Sequence, residues 1–229
     1  MARRLGIIGG IIILFLIFGQ ILIPKAVSNL INKSIVTLTN AEKVDVEVKK
    51  DPALLMLTGQ FDDIVIKAER AKTDKVVFDQ FDINLHNVRI DMGELMKTYQ
   101  LGNASIEDVV LRAYVSQAEL AHAINQSVKG AKDAKVEITP EQVKVSSILN
   151  IGGLINAEIR LEGTIASEAG KIVFKTEKFY IDNGMIGNFS GKLFTDLVLL
   201  DLKQLPFNVE VKSVVLEQGR AVIVADNHP

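Results

Sequence analysis

From residue 155 to residue 165 the chain reads INAEIRLEGTI, and Ile155, Ala157, Ile159, Leu161, Gly163 and Ile165 take every second place without a break. Side chains along a strand point to opposite faces in turn. This run therefore predicts a long strand with one apolar face and one wet face. A helix would scatter the same residues around its axis. The period recurs at Val44, Val46 and Val48, at Phe81, Ile83 and Leu85, and at Val109, Leu111, Ala113 and Val115. It returns at Val136 and Ile138 and at Val143 and Val145, and residues 172–180, 207–216 and 221–225 read as further strands. One-sided strands in this number demand sheets that cover each other or are covered by helices. Composition agrees: 48% of residues are hydrophobic but only 6% aromatic, with no Trp, so Ile, Val and Leu carry the apolar content.

Other segments interrupt this pattern. Val27, Leu30, Ile31, Ile35 and Leu38 have helical spacing and predict a short helix over 26–39. Residues 55–59 and 61–69 are expected to be extended. The alternation slips by one place near His86-Asn87, as a β-bulge would make it. Ser116 with Glu119 three places on is a capping box opening a helix to about Lys129, closed by Gly130. Thr139-Pro140 and Asp182-Asn183-Gly184 are turn signals. In KLFTDLVLLDLKQLPF, residues 192–207, the apolar side chains fill an arc of about 200° on a helical wheel. We read a broad helix there, stopped by Pro206, with a strand at LVLLDL as the alternative. Residues 57–69 echo residues 161–177, which suggests a duplicated strand pair. Strands broken by two or three helices make the class α+β.

Leu5 to Ile23 is a run of 19 residues without a charge, preceded by Arg3 and Arg4. As a helix it is about 28 Å long, close to the hydrocarbon thickness of a bilayer. The expectation is a signal anchor over residues 1–25, carried by Leu5, Ile12, Leu14, Phe15, Leu16, Phe18 and Ile23. One domain, residues 26–229, then lies on the outer side of the cytoplasmic membrane. The alternative is a signal peptide cleaved near Ala26-Val27-Ser28 and a secreted product.

Chemistry is scarce. The absence of cysteine removes disulfides, thiolate metal sites and a Cys nucleophile. Beyond Arg3, Arg4 and Lys25 the chain holds 23 basic against 28 acidic residues, a net −5, which argues against a nucleic-acid partner. His86, His122 and His228 have no metal-ligand spacing. Gly9-Gly10 and Gly152-Gly153 lack the Lys-Ser/Thr of a phosphate loop. Asp62-Asp63 and Asp79/Asp82 are carboxylate pairs of the kind common on solvated strands. No catalytic residue, metal or cofactor is expected, and the chain is read as a non-enzyme.

Taken in order, several stretches resemble one family. They are the charge-free N-terminus, LTGQFDDI at 57–64, the capped helix from Ser116, and the ending Leu205-Pro206-Phe207, Val209-x-Val211-x-x-Val214, Gly219-x-Ala221-Val222-Ile223. The chain resembles the LmeA-like phospholipid-binding proteins of the bacterial envelope. That resemblance implies a tubular lipid-binding-like fold: a curved antiparallel sheet wrapped around helices, with an apolar groove for acyl chains and no catalytic residues. The groove walls expected from it are Leu120, Ile124, Val128, Leu193, Phe194, Leu197, Leu200 and Phe207, with strand faces such as Phe81, Ile83, Leu85, Ile159 and Leu161 completing them. The partners are then a phospholipid or other acyl lipid and the membrane. A second possibility is an envelope scaffold that uses the same groove for a protein.

Overall fold

The computed structural model describes residues 2–73, 75–102, 104–151, 155–182, 184–187, 197–205 and 208–228, with side chains from Phe18 onward except at 151, 155, 184–187 and 204. The order begins with α1 (Ala2–Thr39), β1 (Lys43–Lys49), a 3-10 turn (Ala53–Thr58), β2 (Gln60–Lys72), β3 (Val77–Arg89), α2 (Met92–Thr98), β4 (Ser105–Ser116) and α3 (Gln117–Ser127). It continues with β5 (Ala131–Ile138), β6 (Val143–Ile151), β7 (Ile155–Glu168), β8 (Lys171–Ile181), β9 (Gly184–Gly187), β10 (Leu197–Asp201), β11 (Glu210–Glu217) and β12 (Arg220–Asp226). The α+β class is as expected: mostly sheet, curled like a half-barrel, with a few helices.

The strands divide between two antiparallel sheets, not one. The first runs β1-β2-β3-β4-β12-β11 and the second β10-β8-β7-β6-β5, with β9 beside β8. Each alternating stretch presents one buried row, such as Val109, Leu111, Ala113 and Val115 on β4. These rows meet in a single hydrophobic cluster that draws on both sheets, α1 and α3. Among the described residues, Gly219 N–H donates to Ile138 O at 2.9 Å and Thr73 Oγ1 donates to Leu199 O at 3.2 Å, and these bonds tie the sheets.

The first helix is one element through Pro24, not an anchor followed by a separate helix from Ala26. Val27, Ile31 and Ile35 form its buried stripe, while Leu38 is exposed. Among the described residues no helix is long and apolar enough to cross a membrane. The expected anchor therefore finds no support in the described structure. Of its residues, Phe18 is exposed and Ile23 is partly buried against the core. Leu5, Ile12, Leu14, Phe15 and Leu16 lie outside the described side chains.

The extended segment expected at 55–59 is instead the 3-10 turn, with Ala53 and Met56 buried beneath it. Gly59 closes it at φ +82°. The echo between 57–69 and 161–177 has no structural counterpart. Phe61 and residues 64–69 share one strand, whereas residues 161–165 and 172–177 lie on the two strands of a hairpin. The slip at His86-Asn87 is present, but it is no inserted residue. Asn87 is left-handed at φ +48°, and the pairs Phe61–Val88 and Asp63–His86 keep one register across it.

Ser116 caps α3 as expected, its side chain accepting from Glu119 N–H at 3.4 Å. The helix ends at Ser127, and the C-cap is an extended Val128, not Gly130. Gly130 takes its positive φ in the turn into β5.

The helix expected at 192–207 is corrected over its described part. Leu197–Asp201 is strand β10, paired with β8, followed by a 3-10 turn at Leu202–Gln204. The register shifts between Val198 and Leu200. That bulge turns Leu197, Leu199 and Leu200 all inward. A strand that buries three of four consecutive positions imitates the breadth of an apolar helix. Leu193, Phe194 and Phe207 lie outside the described residues.

Candidate functional site

Where α1 lies over the first sheet, the inner faces of three strands meet a connector. β2 supplies Ile64 and Ile66, β3 supplies Leu85 and Val88, and β4 supplies Ile106. Ile90, Leu101 and Ala104 come from the segments flanking α2, and Ile31 of α1 closes the top. The register places Ile64 opposite Leu85 and Ile66 opposite Ile83, so the floor is a continuous aliphatic row across the ladder. Every lining residue is apolar.

Local chemistry fixes the connector. The Asp91 side chain accepts from Glu94 N–H at 3.0 Å and caps α2. Tyr99 ends α2 at φ +55° and lets the chain turn back with Leu101 inward. Ile90 N–H donates to Gly59 O at 2.9 Å, so the 3-10 turn and the crevice share a wall. On the other side Asn32 Nδ2 donates to Val44 O at 2.5 Å, seating α1 on edge strand β1. Lys33 Nζ lies 5.5 Å from the centre of the Tyr99 ring and links α1 to α2.

The enclosed volume is about 10 Å³. That is room for a single water, and a wholly apolar lining keeps such a space dry. Pockets that bury acyl-sized ligands hold roughly 300–1,000 Å³. The crevice is therefore closed, and α1 is the element that closes it.

Two larger hollows are more polar. One of about 360 Å³ is lined by Lys50, Gln60, Asn87, Arg89, Ser105 and Glu107, together with Phe61, Val88 and Ile106. Gln60, Arg89 and Ser105 form one row across β2, β3 and β4, at the end of the sheet that carries the 3-10 turn. Another of about 540 Å³ lies where the β7–β8 turn meets Lys203, the start of β11 and His228. The first is mainly polar, and the second mixes Ala169, Leu202 and Val209 with Lys203, Asn208, Glu210, Asn227 and His228, so neither is wholly apolar.

Of the Asp62-Asp63 pair, only Asp63 bonds a histidine; Asp62 pairs with Lys50. Lys50 Nζ donates to Asp62 Oδ1 at 2.6 Å and holds that carboxyl below the usual carboxylate range. His86 Nδ1 lies 2.8 Å from Asp63 Oδ1, a bond that raises the imidazole above its ordinary value. Both carboxylates and the imidazole are about half exposed, and none lines a described hollow. Among the described residues no cluster of His, Asp or Glu has the makings of a metal site.

Of the residues expected to form groove walls, Leu120 and Ile124 are buried on α3, which packs against β3, β4 and β5, and Val128 is partly buried at its end. Leu197 and Leu200 sit in the core of the second sheet. None of these five lines the crevice, whereas Leu85 does. Ile64 and Ile66 fall in the segment 61–69 expected to be extended, whereas Ile106 is out of phase with the row Val109, Leu111, Ala113 and Val115. Leu101 and Ala104 carried no signal, since only the connector's path brings them inward.

A family model described as LmeA-like phospholipid-binding matches residues 19–226. No curated protein and no solved structure matches the chain.

Proposed function

With that match over most of its length, the chain belongs to the LmeA-like phospholipid-binding family, and we propose that it holds phospholipid acyl chains between α1 and the inner face of the first sheet. The observation that carries this is the wholly apolar crevice under one long helix. Acyl chains need concave apolar walls, and the lining of this crevice is apolar throughout, whereas the hollow beside Lys203 mixes Leu202 and Val209 with Asn208, Glu210, Asn227 and His228. The protein acts by binding, without a catalytic group. Loading requires α1 to lift, since only then does the aliphatic row from Ile64 to Ile106 widen into a groove.

Location is part of the proposal and rests on sequence. The charge-free run from Leu5 to Ile23, with Arg3 and Arg4 before it, supports a location at the bacterial cytoplasmic membrane with residues 26–229 outside.

The test is photo-crosslinking. The full chain in vesicles receives a phospholipid with a diazirine in its acyl chain, and the crosslinked peptides are mapped by mass spectrometry. Crosslinks to Ile31, residues 64–66, Leu85 and Ile106 are expected. Crosslinks confined to residues 5–23, or to the second sheet, would overturn the assignment.

A further inference from the structure

We infer that the 3-10 turn Ala53–Thr58, together with the adjoining turns of α1, docks on the surface of a lipid bilayer. The inference rests on the membrane location proposed above, and its test separates the two.

The turn reads Ala-Leu-Leu-Met-Leu-Thr. Ala53 and Met56 are buried, so Leu54 and Leu57 are left on the outer side, each more than half exposed. Phe18, Ile21 and Leu22 of α1 are equally exposed, and α1 packs directly on the turn. Five large apolar side chains on two touching elements make a patch, not a scatter of single exposures.

The level of this patch is fixed by one bond. Ala53 N–H donates to Gln20 Oε1 at 3.1 Å. Gln20 lies inside the charge-free run that ends at Ile23. The turn is therefore held beside the end of that run, where a helix entering lipid passes through the headgroup layer.

Charge supports the same occupant. Lys25 follows the patch one turn along α1, and Lys49 ends the strand that leads into the turn. Both are exposed and have no carboxylate partner among the described residues. Apolar tips backed by free cations suit a bilayer that contains anionic lipid. A protein partner is disfavoured by the patch's continuity with 19 residues that carry no charge at all. Docking here also has a use. Gly59 closes the turn and bonds Ile90, a wall of the crevice, so the bilayer would lie against the crevice's own framework.

The chain has no cysteine, so single labels are unambiguous. The variants Leu54→Cys, Leu57→Cys and, as a control on the β5–β6 turn, Glu141→Cys are made in the full chain and labelled with a polarity-sensitive fluorophore. They are placed in vesicles of equal parts phosphatidylglycerol and phosphatidylethanolamine, with and without a lipid bearing a shallow nitroxide. Expected are a blue shift and nitroxide quenching at 54 and 57, with neither at 141. Equal behaviour at all three positions, whether in water or in lipid, overturns the docking assignment even where crosslinks still map to the crevice. Quenching at 54 and 57 without crevice crosslinks leaves docking in place and removes the acyl-site proposal.

Discussion

Gly59 has φ +82°, and a methyl group there would come within 1.9 Å of the Ile90 carbonyl oxygen. Both penalties are backbone penalties that no rotamer change relieves. Gly59→Ala is expected to cost about 3 kcal/mol or more, read as a lower urea midpoint with an unchanged slope. A loss under about 1 kcal/mol would show that the turn can move away from β3. His86 gives a pH signature. Its imidazole is raised by the bond to Asp63, so the folded state holds the proton more tightly than the unfolded one. The associated stability is fully present below the ordinary value of 6.5 and is lost as pH rises through the raised value. NMR titration of His86 should give a midpoint above 6.5, returning toward it in Asp63→Asn. An unchanged midpoint in that variant would dismiss the pairing. At this scale sequence was legible where a residue type answers to one backbone need, as Ser116 does at its cap. It was silent at Arg70, left-handed at φ +55° with ion pairs to Glu42 and Glu119, because no local pattern marks an arginine for that conformation.

Among the elements, strands were legible because their period depends on one buried face and nothing distant. β4 and β7 follow the sequence pattern closely, whereas β8 buries Ile172, Val173 and Phe174 in succession. β10 was not, because its bulge is set by pairing with β8 and by the bond from Thr73, 126 positions away in sequence. The 3-10 turn was misread for a related reason: Leu55, Met56 and Leu57 look extended until Gly59 is known to be left-handed. On α1, Ser34 is fully buried and its hydroxyl has no hydrogen-bond partner among the described residues. An unpaired buried hydroxyl costs about 1 kcal/mol or more. Ser34→Ala should therefore raise the melting temperature by about 3 °C in a chain of this size. A lower melting temperature would mean that the hydroxyl has a native partner after all.

In the whole molecule, α1 is the helix that lies over the crevice, with Ile31 in its lining. The sheets hold each other through α3 and through ladders of long strands, whereas α1 rests on the first sheet by its apolar stripe and a few polar contacts. At the proposed acyl site, a crevice of about 10 Å³ admits no acyl chain until that helix lifts, so the free energy of lifting is expected to set how fast lipid enters. The bond from Asn32 to Val44 O holds the closed form without touching the crevice. Removing it with Asn32→Ala costs the closed state about 1 kcal/mol, equivalent to about fivefold in the population of the open one. Lipid uptake from vesicles, followed by relief of self-quenching of a fluorescent phospholipid, should then be about fivefold faster, with the crosslinked residues in the crevice unchanged. Slower uptake, or a rate equal to that of the parent chain, would place the lipid's route away from α1. The same measurement on Leu120→Ala separates the two helices. α3 lies in the core between the sheets and away from the crevice, so that variant should lose stability, by about 2–5 kcal/mol for a buried leucine, without any gain in uptake rate while it remains folded.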